Sequence, residues 1–394
     1  MSVLPTAFQK VLDEQYRKRA SQNLVRERRP REEGTLPLAK VNGRTLINFC
    51  GNDYLGLSAH ETVINAAKTA LDTFGFGSGA SQLVSGYTTL HRQLEETLAA
   101  KTGRDRALVF STGYMANQAI INSLMGRGDL VVGDRFNHAS MIDAAMISRA
   151  RFKRYPHCDT SMLTTLLNQH NKGKKMIVTD TVFSMDGDIA PLAELSAIGK
   201  QQEAILVVDD AHGFGVLGKS GGGTLEEQDL GQVDVPLMMA TFGKALGGFG
   251  AFVAGDDDLI EALMQTSRTL IYTTAPPPAI AAAALAALEL LETESWRRTK
   301  LRELITQFIH GAGERGIPLS KSVTAIQPII LGSADASMNA SQYLFEQGFW
   351  VAPIRPPTVP PGTSRLRVTL SAGHEPAQVD ALLESLAAAL EQRR

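Results

Sequence analysis

The feature that most constrains the fold is an alternation between residue 60 and about residue 275. Short apolar runs recur there: ALVF from Ala107, LVV from Leu130, MIV from Met176, AILVV from Ala204, LMMA from Leu237 and AFVAG from Ala251. Stretches of helical period lie between most of them. A strand buried on both faces reads as a continuous apolar run, and strands that alternate with helices are joined by crossovers. The pattern therefore predicts an α/β domain, a mostly parallel sheet covered by helices. Ligands bind such sheets at the carboxyl ends of the strands, so the residues just after each run are the candidates for chemistry.

The chain has 394 residues, more than one ordinary core accommodates. Beyond about residue 280 the character changes to long helical stretches, a strand candidate AIQPIIL, then FWVAPI, a proline-rich loop, RLRVTL and a last amphipathic helix through Val379, Leu382, Leu383, Leu386 and Leu390. The expected division is 1–50 as an N-terminal helix and segment, 51–280 as a large domain, and 281–394 as a smaller α+β domain. Leu4, Phe8, Val11, Leu12, Tyr16, Ala20 and Leu24 follow helical spacing, which predicts one helix over 4–29 with a basic second face. That face is either a solvated surface or a docking surface for an acidic substrate.

Net charge is -2, so nothing in the balance points to nucleic acid or an acidic membrane surface. The most apolar segment, APPPAIAAAALAALELL, opens with prolines and carries Glu289, which reads as a packing helix and not a span. The N-terminus MSVLPTAFQK lacks a signal pattern. The two cysteines, Cys50 and Cys158, lack partners at metal spacing, His157 beside Cys158 apart, so no metal is expected. A cytoplasmic protein is the expectation.

Two motifs mislead. GFGVLGKS, Gly213 to Ser220, satisfies the phosphate-loop pattern of nucleotide triphosphatases, but three glycines follow where a helix should start. Asp209 and Asp210 also precede the loop, where they would repel phosphates. GFGSGA at Gly75 mimics a dinucleotide fingerprint, yet a helical pattern precedes it where a strand is needed.

The residues after the strands form a more coherent set. STGYMAN, from Ser111, opens a helix and suits one phosphate. His138 lies in GDRFNHAS, Ser184 in TDTVFSMDGD, Asp209 and His212 in DDAHG, and Thr241 and Lys244 in TFGK. Each alone is weak: a lone histidine is more often structural, and an aspartate at a strand end is often a helix cap. Together they suit pyridoxal 5'-phosphate. Its phosphate needs a helix N-terminus, its aldehyde a lysine for a Schiff base, its ring nitrogen a carboxylate, its ring a stacking partner and its phenolic oxygen a donor.

Seven motifs then carry a resemblance along nearly the whole chain in order: NDYLGL at Asn52, GSGASQLVSGYTTLHRQLE from Gly77, NHAS, VFSMDGD, VDDAHG, TFGKALG and IRPPTVPPGTSRLRVTLSAGHE from Ile354. The chain resembles the α-oxoamine synthases among the fold type I pyridoxal-phosphate enzymes. The resemblance implies an aspartate-aminotransferase-like fold with a seven-stranded sheet. By similarity, Lys244 carries the Schiff base and the proton, Asp209 pairs with the ring nitrogen, His212 donates to the phenolic oxygen with Ser184 nearby, and His138 stacks on the ring. Ser111, Gly113, Tyr114 and Thr241 surround the phosphate, and Thr273 and Thr274 reach that of a partner subunit, which implies a homodimer.

The resemblance also assigns substrate contacts. Arg355 and Asn52 are expected at the amino acid carboxylate, Thr358 at the acyl substrate, and Arg26, in preference to Arg28, at the acyl-CoA. DDAHG and the RPPTVPPG loop favour L-alanine and a pimeloyl thioester, on CoA or a carrier protein, over the substrates of sisters such as glycine C-acetyltransferase.

Overall fold

The computed structural model describes residues 3–391, so the first two residues of the N-terminal segment and the last three of the C-terminal domain lie outside the described residues. The chain forms two compact units. The larger comprises Asn52–Ser184 and Asp188–Leu301; the smaller comprises Met1–Gly51, Met185–Gly187 and Arg302–Arg394.

The larger unit is built on a seven-stranded sheet in the order Arg106–Phe110, Ala251–Gly255, Leu237–Thr241, Ala204–Asp209, Lys175–Asp180, Leu130–Asp134, Arg151–Tyr155. Only Ala251–Gly255 runs against its neighbours. Six strands coincide with the six apolar runs. The seventh, RFKRY, lies at a sheet edge and has no apolar run, because only Tyr155 among its residues is buried. The helix Gly113–Leu124 packs Ala116, Ala119 and Ile120 against Val131, Val207 and Val253, and Ala144 and Ala145 of the helix Ala139–Ile147 join the same core. Small residues at these positions let helix backbones approach the sheet closely.

The helix Pro278–Thr293 belongs to this unit, so its division from the rest lies at Leu301, within the helix Trp296–Glu314, and not at 280. Proline suits a helix start because its missing N–H would have no partner there. Ala279 and Ala282 then pack on Ala70 of the helix Glu61–Phe74. Among the described residues no helix is long and apolar enough to cross a membrane.

In the smaller unit, Leu38–Val41 and Arg44–Asn48 form a hairpin. Its turn is Asn42-Gly43, both at positive φ, the two-residue connection that matches strand twist. Ile326–Gly332, Ser364–Thr369 and Ala352–Ile354 make a second, antiparallel sheet. The predicted helix over 4–29 is shorter than its periodicity implied: it runs from Thr6 to Ala20 and buries no residue. Asn23 then adopts φ 51, which a helix cannot continue through, so Arg26, Arg28 and Arg29 lie on extended chain.

Candidate active site

The candidate residues of the larger unit gather at the carboxyl ends of its parallel strands. After Arg106–Phe110 the chain turns at Ser111, and Thr112 caps the helix Gly113–Leu124 by accepting from Met115 N at 3.2 Å. Backbone N–H groups of the first turn, including those of Gly113 and Tyr114, have no carbonyl partner within the helix, which makes this end suitable for an anion. The Tyr114 hydroxyl donates to Asp143 Oδ2 at 2.6 Å. Thr241 ends its strand with its hydroxyl donating to Gly250 O at 2.7 Å and accepting from Gly243 N at 3.2 Å. That fixes the turn carrying half-buried Lys244.

Deeper in the same edge, Asp209 is 4% exposed. Its Oδ2 accepts from Asn117 Nδ2 at 2.8 Å and its Oδ1 from Ala211 N at 3.0 Å. Both oxygens are thus fixed in place by donors. Asn117 Nδ2 also donates to Ser140 Oγ at 2.9 Å, and Ser140 Oγ lies 2.7 Å from His138 Nδ1. A single polar chain therefore runs from Asp209 to His138. His138 N donates to Asp180 Oδ2 at 2.6 Å, and Asp180 stands beside Asp209 in the parallel register. Burial and the like charge of Asp209 push the Asp180 carboxyl well above the usual range, against the opposing pull of the His138 N–H and of Lys244. On the other side, His212 Nδ1 lies 2.7 Å from the Tyr54 hydroxyl, and that hydroxyl reaches Asn52 Oδ1 at 3.4 Å.

The remaining expected residues lie elsewhere. Thr273 and Thr274 run beside the segment 78–81: Thr274 bridges Ser81, and Ser78 Oγ donates to Pro276 O at 2.6 Å. Arg26, Arg355 and Thr358 belong to the smaller unit, where they line one cavity of about 650 Å³ with Leu24, Gln342 and Trp350. The Arg355 guanidinium already donates to the backbone carbonyls of Asn23 and Val25. Burial and the neighbouring Arg26 hold its pKa below the usual arginine value.

The phosphate-loop look-alike is filled by the protein itself. Glu226 accepts from Ser220 N at 2.9 Å and Gly222 N at 2.7 Å, and Glu227 accepts from Gly218 N at 2.8 Å. Burial works against the Glu226 charge, but these amides hold its carboxyl below the usual range. The following helix, Thr224–Glu227, has only four residues. Gly75 likewise ends the helix Glu61–Phe74 and follows no strand.

Several residues carry more than their sequence signal shows. Asn117 stands inside STGYMAN, where only the helix start attracts notice; its position four residues past Gly113 puts it one turn in, on the buried face. Asp210 is fully buried, bonded to Thr224 N at 2.9 Å and Thr224 Oγ1 at 2.6 Å, and burial pushes its carboxyl up to about 6. Arg365 and Arg367 sit two apart on Ser364–Thr369, hence on one face, and both are buried; Arg365 pairs with Asp186 at 2.6 Å.

The donor set fits pyridoxal phosphate. One helix N-terminus is available for a dianion, one buried carboxylate is held by two donors, a histidine ends the polar chain that starts from it, and a lysine stands on a neighbouring turn. Fold and residues together define a pyridoxal-phosphate enzyme of fold type I.

Comparison with known proteins narrows the class. Residues 44–386 match the family described as "Aminotransferase class I and II". An 8-amino-7-oxononanoate synthase of Saccharophagus degradans is 54% identical over 350 residues, covering 88% of each chain. Two solved structures are also similar. One is a serine palmitoyltransferase from S. paucimobilis with bound pyridoxal phosphate and myriocin (31% identity, TM-score 0.93, covering 100% of this chain and 99% of that one). The other is an 8-amino-7-oxononanoate synthase from Francisella tularensis (34% identity, TM-score 0.78, 88% and 98%). The chain belongs to the class I and II aminotransferase family, and within it to the α-oxoamine synthase branch that holds the 8-amino-7-oxononanoate synthases. It is a pyridoxal-phosphate-dependent acyltransferase.

Proposed function

We propose that the enzyme condenses L-alanine with a pimeloyl thioester, on CoA or a carrier protein, releasing thiol and CO2 and forming 8-amino-7-oxononanoate in biotin biosynthesis. The observation that carries this reading is the polar chain Asp209–Asn117–Ser140–His138 ending one sheet edge beside Lys244. The relatives named 8-amino-7-oxononanoate synthase support the choice of substrates.

The cofactor, when bound, supplies an electron sink that accepts the charge left at the alanine Cα. The roles of the chain's own residues follow. Asp209 holds the ring nitrogen's proton, and His138 covers the ring. His212 donates to the phenolic oxygen, with Ser184 alongside and the Tyr54 hydroxyl 2.7 Å from its Nδ1. Ser111, Gly113, Tyr114 and Thr241 hold the phosphate at the helix N-terminus. Lys244 anchors the aldehyde, and its Nζ takes the alanine α-proton and later returns one. Asn52 contributes to orienting the alanine carboxylate. Arg355 orients the same carboxylate, and Arg26 and Thr358, which line one cavity with it, face the acyl substrate.

We also propose a homodimer in the cytoplasm, with Thr273 and Thr274 reaching the partner's phosphate. Phe76, Val84 and Tyr272, near this segment, are 85%, 80% and 70% exposed, and these apolar side chains support an interface there. Sedimentation at micromolar concentration checks this, and a monomer that binds cofactor fully refutes the shared site.

The deciding experiment measures thiol release with alanine, glycine and serine against pimeloyl-, acetyl-, succinyl- and palmitoyl-CoA, with a pimeloyl carrier protein as a further arm. Alanine with a pimeloyl thioester is expected to win. Preference for serine with palmitoyl-CoA or glycine with acetyl-CoA would assign the enzyme to a sister activity. The purified protein is expected to be yellow, with a visible band that Lys244→Ala abolishes.

A further inference from the structure

Beside the cofactor site lies a cluster to which the reaction assigns no part. His157 follows the edge strand Arg151–Tyr155 by two residues. Its Nδ1 lies 3.0 Å from Asp134 Oδ1 and its Nε2 lies 2.7 Å from Asp188 Oδ2. A neutral imidazole has one N–H and cannot donate to two carboxylates, so this geometry requires the imidazolium. Burial works against that charge, and the bonds to Asp134 and Asp188 more than reverse it, raising its pKa to about 12.

The surroundings clamp the ring as well. Phe136 stacks on it at 4.5 Å between centroids, and Phe183 meets it edge-on at 4.4 Å. Cys158 Sγ sits 3.8 and 3.7 Å from the two ring nitrogens, nearly equidistant, so it lies on neither nitrogen's lone-pair axis. Asp134, His157 and Cys158 bring ligand atoms within 4.8 Å of one another, but both imidazole nitrogens already face carboxylates.

Each partner of His157 leads to a residue placed at the cofactor. Asp134 ends the strand Leu130–Asp134; it accepts from Phe136 N at 2.8 Å and Cys158 N at 2.8 Å, and the segment continues to His138. Asp188 accepts from Phe183 N through its backbone carbonyl at 3.0 Å, and Ser184 is the next residue. Two loops from different strands are thus joined a few residues before His138 and a few residues after Ser184.

We propose that His157 is a positioning residue for the cofactor site: bound between Asp134 and Asp188, it sets where His138 stacks and where Ser184 faces the phenolic oxygen. It touches neither cofactor nor substrate. This rests on the roles proposed above for His138 and Ser184.

The test uses the pyridoxal-phosphate-loaded enzyme and His157→Phe, which keeps a ring among Phe136 and Phe183 but removes both bonds. The readouts are visible circular dichroism of the bound cofactor, its dissociation constant, and kcat against KM for alanine. Dichroism is expected to fall at least about twofold, cofactor affinity by roughly 10- to 100-fold, and kcat on the order of 100-fold with little change in KM. Asp188→Asn, which keeps shape and removes charge, is expected to move the same readouts in the same direction, and it decides the matter if His157→Phe does not fold. Wild-type dichroism and affinity in a folded variant overturn the proposal. His138→Ala in the same assay separates the two levels: if it leaves the dichroism unchanged, the ring-stacking role fails, whatever His157 does.

Discussion

Asn117→Ala is the most informative single perturbation of the site. Asn117 is 2% exposed, and its Nδ2 serves two acceptors, Asp209 Oδ2 at 2.8 Å and Ser140 Oγ at 2.9 Å. A hydrogen bond to a charged group contributes roughly 1.5–3 kcal/mol and a neutral one roughly 0.5–1.5, so their joint loss costs about 2–4 kcal/mol in the unloaded protein. Urea denaturation at pH 7.5 measures this, with tryptophan fluorescence and far-UV dichroism checked for coincidence because the chain has two units. A double-mutant cycle with Asp209→Ala isolates the bond to the carboxylate and is expected to return a coupling of about 1.5–3 kcal/mol. In the loaded enzyme, the variant is expected to bind pyridoxal phosphate more weakly, because the carboxylate facing the ring nitrogen has lost a donor that fixes it. A coupling under about 0.5 kcal/mol, within the error of independent sites, would refute the claim that Asn117 holds Asp209.

Other outcomes follow from the same geometry. Gly223 has φ +101, and a Cβ there would lie 2.0 Å from Asp210 Oδ2, so Gly223→Ala is expected to cost 3 kcal/mol or more, on the order of the largest single-residue effects, in denaturant unfolding. Burial pushes the Glu95 carboxyl up to about 7, against the hydrogen bond it accepts from the Tyr87 hydroxyl at 2.6 Å. The folded state therefore holds a proton that the unfolded state releases, and this contribution is present below the ordinary glutamate pKa and lost as pH rises through 7. Glu95→Gln is expected to be more stable relative to wild type at pH 8 than at pH 5, and equal differences at both would count against it. His157 has the same sign over a higher window: facing Asp134, Asp188 and Cys158, its contribution is full below about 6.5, its ordinary value, and is lost as pH rises toward 12. Stability measured from pH 7 to 10 should fall more steeply in wild type than in His157→Phe.

The sequence by itself determined the sheet, its mostly parallel sense and the edge where chemistry gathers, because a strand buried on both faces must be a continuous apolar run. It also singled out Lys244, Asp209, His138 and His212 as candidates, since each follows one of those runs. The edge strand RFKRY carries no apolar run because four of its five residues are not buried. The hairpin at Asn42-Gly43 is signalled by its turn alone, since its two strands are short. The helical period runs past the end of the N-terminal helix because period alone cannot see Asn23 enter the left-handed region.

What only tertiary structure decided is pairing across sequence distance. Asn117 and Asp209 are 92 residues apart, and His157 reaches carboxylates 23 and 31 residues away. A hydrogen bond depends on ångström-level placement of two side chains, and residue type and local period constrain neither chain's position against the other. The same reason settles the phosphate-loop look-alike: Lys219 and Ser220 match a motif, but the amides that would hold a phosphate are occupied by Glu226 and Glu227, and that occupancy exists only in the folded loop.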